Sequence, residues 1–117
     1  MTKKLRFHYD SFSDRLMISN KTEKDVIDGS IRILNLIIDF TTKGKAANIE
    51  LVNASEYLES LAINSNILNK LTEAEFNLQS VRNGYLISIV LKAGKKIERV
   101  PYNIHLPSQK QVVVNSA

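Results

Sequence analysis

Two histidines, two spaced pairs of carboxylates and one group of cations are the residues of this chain that could do chemistry. His8 and His105 lie far apart in sequence, and cysteine is absent. Thiol catalysis is therefore excluded, and a zinc site of the usual Cys/His kind cannot be built. No nucleophile elbow accompanies either histidine. Gly29, Gly44, Gly84 and Gly94 are isolated from one another, so there is no Gly-rich loop to cradle a phosphate. The expectation is a chain with no metal and no cofactor, in which each His sits on a strand surface.

The carboxylates are the remaining route to catalysis. Asp10 and Asp14 flank the segment Asp-Ser-Phe-Ser-Asp. Such a pair can hold a metal or do acid–base work, but short oxygen-bearing side chains also cap their own backbone in turns. Asp39 and Glu50 lie on two predicted strands of one hairpin, where facing carboxylates would push one pKa up. Their neighbours Thr, Lys and Asn suit solvated strand positions equally well. An enzyme reading is kept only for these four residues, and the main expectation is a non-catalytic protein.

The cations are Arg82, Lys92, Lys95, Lys96 and Arg99, with Tyr85 and Tyr102 interleaved. Residues 1–60 are electrically balanced, so all of the net +4 charge comes from the second half. Cations that track phosphates beside aromatics that stack on bases would bind single-stranded nucleic acid. Lysines that keep a sheet edge from aggregating would look the same. Tyr85 also belongs to an apolar alternation with Ile87, Ile89 and Leu91, which places it in a core.

The elements that must position these residues follow from periodicity. Lys4–Asp10 alternates with Leu5, Phe7 and Tyr9 on one face, and Arg15–Ser19 returns with Leu16 and Ile18. Lys21–Gly29 is a polar connection, broken only by Val26 and Ile27, with room for one short strand. Ile31–Phe40 is expected to be a single central strand, with Leu34, Leu36, Ile38 and Phe40 on the core face. That leaves Ile31, Ile33 and Ile37 as a surplus apolar row, a candidate homodimer interface. A turn at Gly44 leads to Ala46–Val52. Asn53 and Glu56 have the spacing of a capping box and start a helix to about Ala62; Ser65–Leu71 has helical spacing again. Glu73–Arg82, Tyr85–Lys92 and Ile97–Leu106 form a meander. Its first turn is expected at Asn83-Gly84, with positive φ at both residues. Pro101 either assigns the last strand to an edge or breaks it in two.

Tyr9-Asp10-x-x-x-Asp14-x-Leu16-x-Ile18, a long strand, and then Gly44-x-x-x-x-Ile49-Glu50-x-x-x-Ala54-Ser55 resemble an uncharacterised family of small β-rich proteins, catalogued as a domain of unknown function. The likeness covers residues 7–55, and the stretch 68–106 is similar to longer versions found in archaea. The chain departs from the pattern at Asn48, where the family has a second Gly, and at Thr41 and Thr42, where it often has a second acidic residue. The resemblance implies a β-rich fold without an assigned activity. Relatives that neighbour small toxin genes imply an antitoxin-like partner role.

The reading is an α+β domain over residues 1–107. It has an N-terminal β unit (1–52), a helical connection (53–71) and a C-terminal β meander (73–106), followed by a flexible tail (108–117). One sheet and two layers are both open. The expected function is a small interaction module that acts as a homodimer or on a protein partner. The alternatives are nucleic-acid binding through Arg82, Lys92, Lys95, Lys96, Arg99 and Tyr102, and an antitoxin-like role. No apolar run is long enough for a membrane span or a signal peptide, so the expected compartment is the cytoplasm.

Overall fold

A computed structural model describes residues 5–105. The start of the first predicted strand at Lys4, its counterpart Leu106 at the end of the last, and the tail 108–117 lie outside the described residues. The fold is α+β, with two antiparallel sheets and a short helical connection. The first sheet holds β1 (Arg6–Asp10), β2 (Arg15–Ser19), β3 (Ile27–Ile33), β4 (Leu36–Thr41) and β5 (Ala46–Val52), in the order β1-β2-β5-β4-β3. The second is the meander β6 (Glu73–Val81), β7 (Gly84–Ala93) and β8 (Lys96–His105). Between them lie the helix α1 (Ala54–Ser60) and a 3₁₀ segment, Ser65–Lys70.

The sheets are two layers over one core. Leu16, Ile18, Leu36, Ile38, Ile49 and Leu51 of the first sheet share a cluster with Ala74, Ile87, Ile89, Leu91, Val100, Tyr102 and Ile104 of the second. Ala54, Leu58, Ile67 and Leu68 close it from the connection. Each strand alternates, so one face of each sheet is apolar and must be covered. Burying one such Leu or Ile contributes about 1.5–3 kcal/mol, which favours closing the two apolar faces on each other. Asp25 ties down the β2–β3 connection: Lys45 Nζ lies 2.8 Å from its carboxylate, and the Thr22 amide donates to it. The bond from Lys45 holds the Asp25 carboxyl down at about 2. No helix among the described residues is long and apolar enough to cross a membrane.

The expected single strand Ile31–Phe40 is instead a tight hairpin. The chain reverses at Leu34-Asn35, with Ile33 opposite Leu36 and Ile31 opposite Ile38. Leu34 takes φ 55° and is 81% exposed, so it is a hairpin tip and not a core residue. Distant groups hold the tip. The Tyr102 hydroxyl donates to Asn35 Oδ1 at 2.6 Å, Asn35 Nδ2 donates to the Val52 carbonyl, and the Val52 amide donates to Asn35 O. The reversal also breaks up the predicted isoleucine row. Cross-strand partners share a face, so Ile31 and Ile33 lie on the core side with Ile38 and Leu36. Ile37, opposite Arg32 and Glu50, is the one that faces outward.

Two smaller expectations are also corrected. Asn53 sits in the left-handed region and makes no side-chain cap; the Ser55 amide of α1 is met from the β1–β2 turn by Asp14. The β6–β7 turn residues are Arg82 and Asn83, one position earlier than expected, with Val81 opposite Gly84. Gly84 is required because its backbone lies against β8: a Cβ there would fall 1.8 Å from the Ile104 carbonyl oxygen. Pro101 does lie on an edge strand, β8.

Candidate functional site

The four candidate carboxylates fall into two separate settings. Asp10 is exposed in the β1–β2 turn, where it accepts from the Phe12 amide at 3.0 Å and the Ser13 hydroxyl at 2.9 Å. These bonds lower its pKa. Asp14 is half-buried at φ 56° and accepts three bonds: Tyr9 Oη at 2.6 Å, the Ser55 amide at 2.9 Å and Ser55 Oγ at 2.7 Å. Burial works to raise the Asp14 pKa, but the bonds from Tyr9 and Ser55 outweigh it and leave the group below its ordinary value. Burial and the Asp14 carboxylate together push the Tyr9 hydroxyl up to about 12. A phenol held so firmly protonated and a carboxylate with its donors fully engaged make a structural tie. The spaced residues Tyr9, Asp14, Ala54 and Ser55 thus meet in one cluster, completed by the Ala54 amide on the Asp14 carbonyl.

Asp39 and Glu50 belong to the outer face of the first sheet. Register places five side chains in one row across all five strands: Ser30, Asp39, Asn48, Ser19 and Arg6. They form a chain of hydrogen bonds. Ser30 Oγ and Asn48 Nδ2 donate to the two Asp39 oxygens at 2.5 and 3.0 Å. Ser19 Oγ donates to Asn48 Oδ1 at 2.5 Å, and Arg6 Nη2 lies 3.4 Å from Ser19 Oγ. The next row is Arg32, Ile37, Glu50, Met17 and His8. Its carboxylate pairs with Arg15 at 3.5 Å. Between the rows lies an open pocket of about 380 Å³, lined by Arg6, His8, Met17, Ile37, Asp39 and Glu50 among others.

Asp39 and Glu50 therefore do share a site, joined by Arg6 and His8, which sequence reasoning left on a plain surface. Asp39 and Glu50 are not directly opposed; their cross-strand partners are Asn48 and Ile37. Among the described residues no group of His, Asp and Glu has the geometry of a metal site. The outward alternation of Ser19 and Asn48 was visible in the sequence. Their adjacency depends on β5 entering between β2 and β4, for which the sequence carries no local signal.

The cation group comes apart. Arg82 lies in the β6–β7 turn and Lys95 in the β7–β8 turn, at opposite ends of a ten-residue strand that spans about 30 Å. Lys92 is 3.5 Å from Glu73, and Lys96 is 4.0 Å from Glu98. Arg99 is exposed on the outer face beside Val90. Tyr102 cannot stack on a base: it is 4% exposed and faces the core, with its ring 5.0 Å from that of Tyr57. His105 is exposed at the far end of β8. Tyr85 packs towards Phe40, with the ring centroids 6.2 Å apart.

Comparison of the chain with family models, with curated proteins and with solved structures returned no match.

Proposed function

We propose that the chain is a small non-catalytic interaction module that takes a protein partner on the outer face of its first sheet. The observation that carries this is the composition of that face. Ile37 and the 47%-exposed Met17 flank Glu50 on the outer face, and Arg6, His8 and Asp39 line the same pocket. Exposed apolar side chains interleaved with polar and charged ones are the make-up of a non-obligate protein–protein interface. The polar row supports the reading further. Its uncharged members Ser30, Asn48 and Ser19 are already hydrogen-bonded within the row, so a partner can cover these three without leaving them unpaired. The pocket has room for an anchoring side chain, the usual seat of a few dominant contacts. Its residues contain no pairing of a nucleophile with a base.

The test is affinity purification from the native host with the wild-type chain and with Ile37→Lys and Met17→Lys, which set no like charge opposite Glu50. The expected result is a polypeptide retained by the wild type and lost from both variants, whose melting temperatures stay close to the wild type. Retention of the same polypeptides by all three would overturn the reading. Co-purifying material that absorbs at 260 nm and is lost at high salt would replace it with nucleic-acid binding.

A further inference from the structure

The outer edge of β3 is unlike the other sheet edges. β1 and β6 pack against each other across the layers. β8 carries Pro101, whose carbonyl accepts the Tyr57 hydroxyl. The β3 sequence, Ile27-Asp-Gly-Ser-Ile-Arg-Ile33, has neither proline nor lysine, the residues that commonly blunt an edge. Its five central residues are all exposed, including Ile31, at 40% on the core side of the sheet.

Read against its own reverse, this strand is complementary about Ser30. Ile27 falls opposite Ile33, Asp28 opposite Arg32, Gly29 opposite Ile31, and Ser30 opposite itself. Two of these pairings are favourable cross-strand types, apolar with apolar and acid with base. The space exists as well, because a Cβ on Gly29 would meet nothing within 4 Å, which leaves room there for an Ile31 side chain. Asp28 is the extra residue of a bulge and stands outside the β3–β4 ladder. Neither Asp28 nor Arg32 has an ion pair among the described residues; the Arg32 guanidinium reaches only the Leu34 carbonyl, at 3.3 Å.

We propose that β3 pairs antiparallel with β3 of a second copy of this chain, across a two-fold axis at Ser30. The two first sheets then join into one, five strands from each copy. The polar row that ends at Ser30 continues into its counterpart, so the partner face doubles in width. Backbone bonding along the edge supplies attraction, and the Asp28–Arg32 pairs, made twice, select the register.

Light scattering at about 0.1 mM, where a micromolar complex is almost fully formed, provides the test. The wild type is expected at twice the 13.2 kDa chain mass. Asp28→Arg and Arg32→Asp each place like charges opposite one another twice and are expected at the single chain mass. The double variant D28R/R32D restores opposite charges and is expected to recover the dimer. A monomeric wild type, dimeric single variants or a double variant that does not recover would each overturn the proposal. Amide exchange on the wild type needs no substitution: β3 amides should gain protection on concentration, and equal exchange at both concentrations counts against it. This surface is separate from the outer-face pocket. A monomeric wild type leaves the partner reading standing, and loss of partner selectivity with the dimer intact removes only that reading.

Discussion

Asp14 shows how much one side chain can join. It links β1 through Tyr9 and the start of α1 through Ser55, across 41 positions of sequence. Asp14→Ala is expected to destabilise the fold by about 1–3 kcal/mol, because it removes a helix cap and leaves two donors without their acceptor. Urea midpoints at pH 7 check the size. The pKa direction gives the pH dependence. A carboxyl held below its ordinary value of 3.8 stabilises fully above that value and stops doing so as the pH falls through its lower folded value. The gap between wild type and Asp14→Ala should therefore shrink in acid; a gap that widened would reverse the assignment. Leu34 presents the opposite case. A γ-branched side chain in the left-handed region costs about 1–2 kcal/mol, and this one is exposed. Leu34→Asn should raise the urea midpoint, since Asn tolerates that conformation and Leu34 gives up little packing.

At the scale of elements, the turns decide where strands begin, and each does so by a different means. The β4–β5 turn is held by Thr41, whose buried hydroxyl accepts the Lys43 and Lys45 amides, with Gly44 at φ 81°. The β6–β7 and β7–β8 turns both have a glycine, but the glycines do different jobs. Gly94 needs only its φ of 62° and faces open space, whereas Gly84 has φ 153° and the Ile104 carbonyl where a side chain would go. Gly94→Ala should cost about 1–2 kcal/mol from backbone strain alone. Gly84→Ala should cost clearly more, because β8 must move away from β7. Equal shifts in denaturant midpoint would show that β8 yields freely at that end.

At the scale of the whole molecule, neither sheet has a core of its own. The apolar face of the first sheet is covered by the second, and α1 and the 3₁₀ segment close the same cluster. Unfolding is therefore expected to be a single cooperative transition, with near- and far-ultraviolet circular dichroism changing together. A fragment ending before β6 should lack dispersed amide resonances, because Leu16, Ile18, Leu36, Ile38, Ile49 and Leu51 would face water. A well-dispersed spectrum from that fragment would show that the first sheet is self-sufficient.

The features legible in the amino-acid order are local. Alternation set the inward faces of β1, β2, β5, β6 and β7; Leu16, Ile18, Ile87, Ile89 and Leu91 are all buried as their period requires. Pro101 marked an edge strand, and the helical spacing over 53–71 marked the connection between two β units. The absence of cysteine removed thiol chemistry whatever the fold. The remaining features depend on groups far apart in sequence. Ile31–Phe40 is apolar on both sides, a pattern that does not say where a chain reverses; Tyr102 and Val52 settle it by holding Asn35. Asn53 has the composition of a cap, but Asp14 reaches the first turn of α1 from the distant β1–β2 turn. Asp39 joins Arg6 in one row, and Arg82 is separated from Lys95, through the order and length of strands. Periodicity reports which face a residue occupies. It carries no information on which strand lies beside which, and the candidate site is made of that adjacency.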